Sequence, residues 1–217
     1  MPRKGPSRKK ASLQPGAEFK PNYNEPEISP KKDRMPSGNV IVNAGKSRAE
    51  LRIAVEHLLR RPEPPSVEVW APLGEDAKQL LIQMLNEPFV ARVELRRRIL
   101  ATLGQLDVRE ALPDIREILL SSSEDRITRA QAASALGRMK NAQAIPILGQ
   151  AIVDKDPTVR RQVALGLARH PEKDVIPHLL QLINDPSPAV SEAATAVLAD
   201  RKKKGPKKPA QKKRRYN

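Results

Sequence analysis

Three arginines, Arg96, Arg129 and Arg160, stand 33 and then 31 residues apart, and a guanidinium repeated at such spacing has two chemistries open to it. Its planar fork of donors matches a phosphate, so a row of them suits a nucleic-acid backbone. The same fork bridges to a carboxylate and staples neighbouring segments of one chain. Asp154 lies six residues before Arg160, whereas Ser123 holds that spacing before Arg129, and Asp185 holds it before Ser191. Arg96, Arg129, Arg160 and Asp154 are therefore read as a structural ladder, with an acidic partner expected for Arg160 alone. The neighbouring cations Arg97, Arg98 and Arg161 are candidate anion contacts on a repeat face, set against the plainer reading of a solvated charged face beside Glu94, Glu110 and Asp156.

The densest charge is at the C-terminus, where RKKKGPKKPAQKKRRYN holds ten cations and no acid. The cations are Arg201, Lys202, Lys203, Lys204, Lys207, Lys208, Lys212, Lys213, Arg214 and Arg215. With Gly and Pro among them they predict an unfolded, self-repelling arm. Such an arm binds DNA or RNA without sequence preference, because each neutralised phosphate releases counterions. The run is also similar to a nuclear localisation signal, and solubility is its plain alternative.

Signals for catalysis are sparse. His57, His170 and His178 have no paired ligand at metal spacing, although His170 and His178 are placed as neighbours across a helix turn. The chain has no Cys, which removes disulfides and thiolate chemistry. No Gly-rich phosphate loop occurs. The expectation is a protein with no catalytic residue, no metal and no cofactor.

The elements that must carry these residues follow from charge and periodicity. The net charge of +15 is divided unevenly: residues 1–46 carry +6, residues 47–200 carry −1 and residues 201–217 carry +10. Aromatic residues are only 2% of the chain, so the core must be aliphatic and the fold all-α. Residues 1–46 are rich in Pro, Lys, Asn, Ser and Gly and are expected to be a disordered basic arm, with a short extended piece at residues 39–42. Ser47 and Glu50 form a capping box ahead of a helix that ends near Arg61. Pro62, Pro64 and Pro65 then predict an extended connection anchored by residues 67–70, and a second helix is expected over residues 75–85.

From Val93 the chain repeats. Arg96, Ile99, Leu100, Leu103 and Gly104 recur as Arg129, Ala132, Ala133, Leu136 and Gly137, then as Arg160, Val163, Ala164, Leu167 and Ala168, and last as Ser191, Ala194, Thr195, Leu198 and Ala199. Pro113, Pro146 and Pro177 move with them, the last two in the first turns of their helices. Units of this length holding two helices bury their apolar faces only by stacking. The segment DPTVRRQVALGLARHPEKDVIPHLLQLIND resembles the short HEAT-like repeats of the phycobilin-lyase type. That resemblance covers residues 93–200 and implies a short α-solenoid of HEAT-like helical pairs, with residues 47–92 as a degenerate first pair; residues 201–217, by their composition, are expected to be a disordered polybasic tail. The resemblance also implies a bridging role for the Arg and Asp columns. The last repeat supplies only a first helix, so the tail or a partner is expected to cover it.

These features predict a non-catalytic adaptor whose repeats engage a protein partner and whose tails hold DNA or RNA. The alternatives are a pure protein-assembly factor and a HEAT-like lyase-type enzyme. With neither a secretory pattern in MPRKGPSRKK nor a run of about 20 apolar residues, the expected compartment is the bacterial cytoplasm or nucleoid, or a eukaryotic nucleus.

Overall fold

The computed structural model describes residues 47–88 and 93–204. The expected N-terminal arm, its extended piece at residues 39–42 and the tail beyond Lys204 lie outside the described residues. Among the described residues every regular element is helical.

Helix α1, Arg48–Leu59, begins where the sequence places it. The Ser47 side chain accepts from the Glu50 N–H while Glu50 returns a bond to the Ser47 N–H, so two of the orphan donors at the helix start are satisfied reciprocally. The connection after it differs from the expected extended strap. A short helix α2, Val67–Trp70, continues into a 3-10 turn over Ala71–Leu73. Proline restricts itself and the residue before it, and Pro65 is followed by Ser66, whose extended backbone starts the turn. Trp70 is buried by this turn, while Val67 and Val69 stay exposed. Helix α3, Gly74–Asn86, then buries Leu80, Leu81, Met84 and Leu85.

The repeats follow as α4, Val93–Gln105; α5, Leu112–Leu120; α6, Arg126–Arg138; α7, Ala144–Gln150; α8, Pro157–Leu167; α9, Val175–Leu182; and α10, Pro188–Lys204. Their packing makes two layers. In one, α6 lies between α4 and α8, and α10 follows α8; in the other, α7 lies between α5 and α9. Helices α1 and α3 continue these layers against α4 and α5. Burial follows the repeated columns, since Ile99, Leu100 and Leu103, Ala132, Ala133 and Leu136, and Val163, Ala164 and Leu167 are all inaccessible.

The small residues of the repeat set how close the helices come. A Cβ at Gly104 would stand 2.6 Å from the Ala135 Cα, and one at Gly137 would stand 2.4 Å from the Gly166 Cα. The α4–α6 and α6–α8 crossings are thus backbone against backbone, which only glycine permits. Pro113, Pro146 and Pro177 fall within the first three residues of α5, α7 and α9, where no intrahelical N–H is forfeited.

The C-terminal boundary also differs from expectation. Helix α10 does not stop at residue 200 but runs through Lys204. It buries Val190, Ala194 and Val197 against α8 and α9.

Candidate functional site

The arginine column closes into a chain of ion pairs, in a different register from the one expected. Arg129 binds the Asp154 carboxylate through both Nε (2.9 Å) and Nη2 (3.0 Å). Arg160 binds Asp185 in the same two-pronged way, at 2.6 and 2.8 Å. Each arginine thus reaches forward 25 residues to the carboxylate of the next junction. The expected Arg160–Asp154 bridge is corrected: Arg160 takes only the Asp154 backbone carbonyl, at 2.7 Å, as Arg129 takes that of Glu124 at 2.6 Å. Arg129, expected to lack an acid, has one, and Arg96 pairs with Glu124 at 2.7 Å.

Local sequence explains why these carboxylates stand ready. Asp154 accepts the N–H of Asp156, and Asp185 that of Ser187, each at 2.8 Å, the side-chain turn for which Asp is suited. Two residues after Asp154, Asp156 caps α8 by accepting from the Thr158 N–H. In the preceding repeat Ser121 holds the Asp154 column and accepts from the Ser123 N–H, and Asp125 caps α6. With serine in that column, Arg96 turns to Glu124 instead.

These pairs are withdrawn from solvent. The side chains of Arg129 and Asp154 are 4% and 11% exposed, and those of Arg160 and Asp185 are 12% and 5%. The hydrogen bond to Asp154 raises the Arg129 pKa, and the one to Asp185 raises that of Arg160. Arg160 in turn holds the Asp185 carboxyl below the usual carboxylate range. At Asp125 desolvation opposes the change, but bonds from the Thr128 hydroxyl and from the backbone N–H groups of Thr128 and Ile127 outweigh it and lower the pKa. Geometry of this kind locks successive repeats together and leaves the guanidinium forks no free face for a phosphate.

The other cations singled out from the sequence divide. Arg97 donates to the Thr128 hydroxyl at 3.1 Å and to Asp125 at 2.8 Å. Arg98 donates to the carbonyls of Leu59 and Arg61, at 3.0 and 2.5 Å, closing the C-terminus of α1. Both were candidate anion contacts set against a solvated charged face, and both instead bond within the fold; Arg161 is exposed. Arg201, expected in the nucleic-acid arm, bonds the carbonyls of Leu167, His170 and Glu172. It caps the end of α8 as Arg98 caps α1, while Lys202 and Lys203 remain exposed.

The histidines do not form a ligand set. The buried His170 ring directs Nε2 to the Leu136 carbonyl at 3.1 Å, and the His178 ring lies against Gly149. Among the described residues no group of three His, Cys, Asp or Glu side chains is arranged to hold a metal, and no helix is long and apolar enough to cross a membrane.

One arrangement is not anticipated by the motifs above. At the C-terminal ends of α6 and α8 an open cleft of about 650 Å³ is lined by Gln105, Arg138, Lys140, Arg169, His170 and Glu172, among others. Gln105, Arg138 and Arg169 follow directly on Gly104, Gly137 and Ala168, so they occupy the next column of the same repeat. That column is the signal that points to it.

Comparison with known proteins agrees with this architecture. A family model described as HEAT repeats matches residues 78–157 and again residues 148–211. Among solved structures the chain is similar to the complex of CpcE and CpcF of phycocyanin lyase from Nostoc sp. PCC7120, with a TM-score of 0.50 and 15% identity, over 70% of this chain and 99% of that one. No curated protein matches the chain in sequence.

Proposed function

The chain belongs to the HEAT-repeat family, and from that premise we propose that it is a non-catalytic adaptor, its repeats engaging a protein partner and its C-terminal basic segment holding nucleic acid without sequence preference. The observation that supports this reading is the separation of charge. In the repeat body the arginine column is consumed by internal partners, and residues 47–200 carry a net charge of only −1. Residues 201–217 carry ten cations and no acid. Charges already paired within the fold attract no polyanion, whereas an unopposed run does so by counterion release.

Arg201 is part of the fold, so the test is deletion of residues 205–217, which removes six cations and leaves α10 whole. Every duplex phosphate that the shortened chain no longer neutralises flattens the slope of log affinity against log salt by about 0.9. A change of up to about five in that slope, with weaker binding, is expected in a filter-binding titration. The same affinity and slope after deletion would sink the proposal.

A pure protein-assembly role is the second reading, favoured because the similar structure is itself a complex of two proteins. Capture of one partner from nuclease-treated lysate by both the full chain and the deletion variant supports it. A lyase-type activity is the third reading; at 15% identity the likeness is one of fold. Covalent attachment of a bilin to an acceptor protein, dependent on this chain, would establish it over the adaptor.

A further inference from the structure

We propose that the cleft at the C-terminal ends of α6 and α8 binds a phosphate-bearing ligand, with Arg138 and Arg169 as its two forks and Lys140 as a third cation. Among the described residues the ladder arginines each hold a carboxylate, but no hydrogen bond or ion pair engages the side chains of Arg138, Lys140 or Arg169. All three are exposed, and all three line one cleft of about 650 Å³.

The cost of this arrangement is visible in Arg138. Desolvation by the protein around it, and then the charge of Arg169, lower its pKa. A helix C-terminus favours one nearby cation, which accounts for each arginine singly. It does not account for two of them lining one cleft with a lysine.

Two acids stand near the cleft. Glu172 is the carboxylate among its lining residues, and its Oε2 lies 3.9 Å from His170 Nδ1; Asp107, which is not among them, accepts the Lys140 N–H at 2.9 Å and lies 3.6 Å from Arg109. Gln105 spends its amide on the Pro65 carbonyl at 3.0 Å. Among the residues that line the cleft, three cations stand against one carboxylate. A phosphate monoester carries roughly −1.5 to −2 at neutral pH and offers several acceptor oxygens, so one group satisfies two forks together, where a carboxylate brings a single charge. The cleft is open and has room for more than one phosphate group. Arg201 bonds the carbonyls of His170 and Glu172, which brings the start of the basic segment to the wall of this cleft.

The test titrates full-length protein with sodium tripolyphosphate by calorimetry at low salt. Three forms are compared: the parent chain, Arg138→Gln with Arg169→Gln, and a charge-matched control, Arg61→Gln with Arg126→Gln, at exposed arginines away from the cleft. The basic segment is present in all three, so the result stands or falls independently of the deletion experiment above. The cleft variant is expected to bind about tenfold or more weakly and the control within about twofold. Equal weakening in both overturns the proposal, and so does a polyglutamate peptide that depends on the cleft more steeply than tripolyphosphate does. A single-stranded oligonucleotide identifies the source: parallel loss of its binding assigns the phosphate to a polynucleotide, and loss confined to tripolyphosphate assigns it to a small phosphorylated molecule. Should the glutamine variant fail to fold, Arg138→Lys with Arg169→Lys keeps the charge and removes the forks, and undiminished binding in it overturns the role given to them.

Discussion

The two ends of α6 and α8 treat arginine in opposite ways. Near the N-terminal ends, Arg129 is buried and Arg160 largely so, each gripping a carboxylate with two donors and a backbone carbonyl with a third. At the C-terminal ends, Arg138 and Arg169 line a cleft, and desolvation, then the charge of Arg169, lower the pKa of Arg138. One residue type in one repeat thus serves as a staple where a carboxylate is delivered by the next junction, and as an open charge where none is. Column position alone does not decide which, because both columns recur with the same period.

The contrast is broken most severely at a staple. Asp154→Ala leaves Arg129 buried without its partner, and removal of one member of such a pair costs about 3–5 kcal/mol; urea unfolding of the variant measures the loss. One residue before Arg138, Gly137→Ala forces the α6 and α8 backbones apart and should cost about 1–3 kcal/mol in the same assay.

Acid sharpens the distinction. The Asp185 pKa is lowered by Arg160, so its contribution is fully present above the ordinary Asp value of about 3.9 and is lost as pH falls through the lower folded value. Stability measured from about pH 6 to about pH 2 should fall less steeply in Asp185→Asn than in the parent chain. An exposed pair makes the counter-case: Arg52 and Glu87 meet at 2.7 Å but are 40% and 38% exposed, so Arg52→Ala should change stability by about 0–1 kcal/mol. The smallest effect belongs to the cleft. The pKa of Arg138 is lowered in the folded state, so its charged form is disfavoured by folding, and Arg138→Gln should leave the melting temperature unchanged or slightly higher in a thermal scan. A marked drop would mean that Arg138 is structural.

Much of this is legible in the chain itself, for reasons that differ by residue. The buried columns are readable because a stacked helical pair must present the same face at every period, so Leu103, Leu136 and Leu167 mark the core directly. The capping box of Ser47 and Glu50 is readable because both halves lie within one turn. The register of the ladder is not, because its pairs span 25 residues and spacing along the chain favours the acid six residues away over the one across the junction. Arg98 and Arg201 look like free charge in sequence because their partners are backbone carbonyls at helix ends, which no side chain announces. Three prolines ahead of Val67 to Trp70 argue for extended chain, and the burial of Trp70 that turns the segment into a helix is a tertiary fact. The cleft arginines are visible as a column but inconspicuous, since nothing in sequence distinguishes an unpaired guanidinium from a paired one.

The clasp formed by Arg201 bears on how the end of the stack opens. Among the described residues no helix follows α10 in its layer, and amides at such an edge ordinarily exchange with solvent through local fraying. A single guanidinium near the end of α10 bonds the Leu167 carbonyl that ends α8 and those of His170 and Glu172 in the connection after it, and unwinding the last turns of α10 therefore exposes those carbonyls as well. The two helices should open as one cooperative unit, with amide protection in α10 tracking that of α8 as far as Arg201 and falling away beyond it.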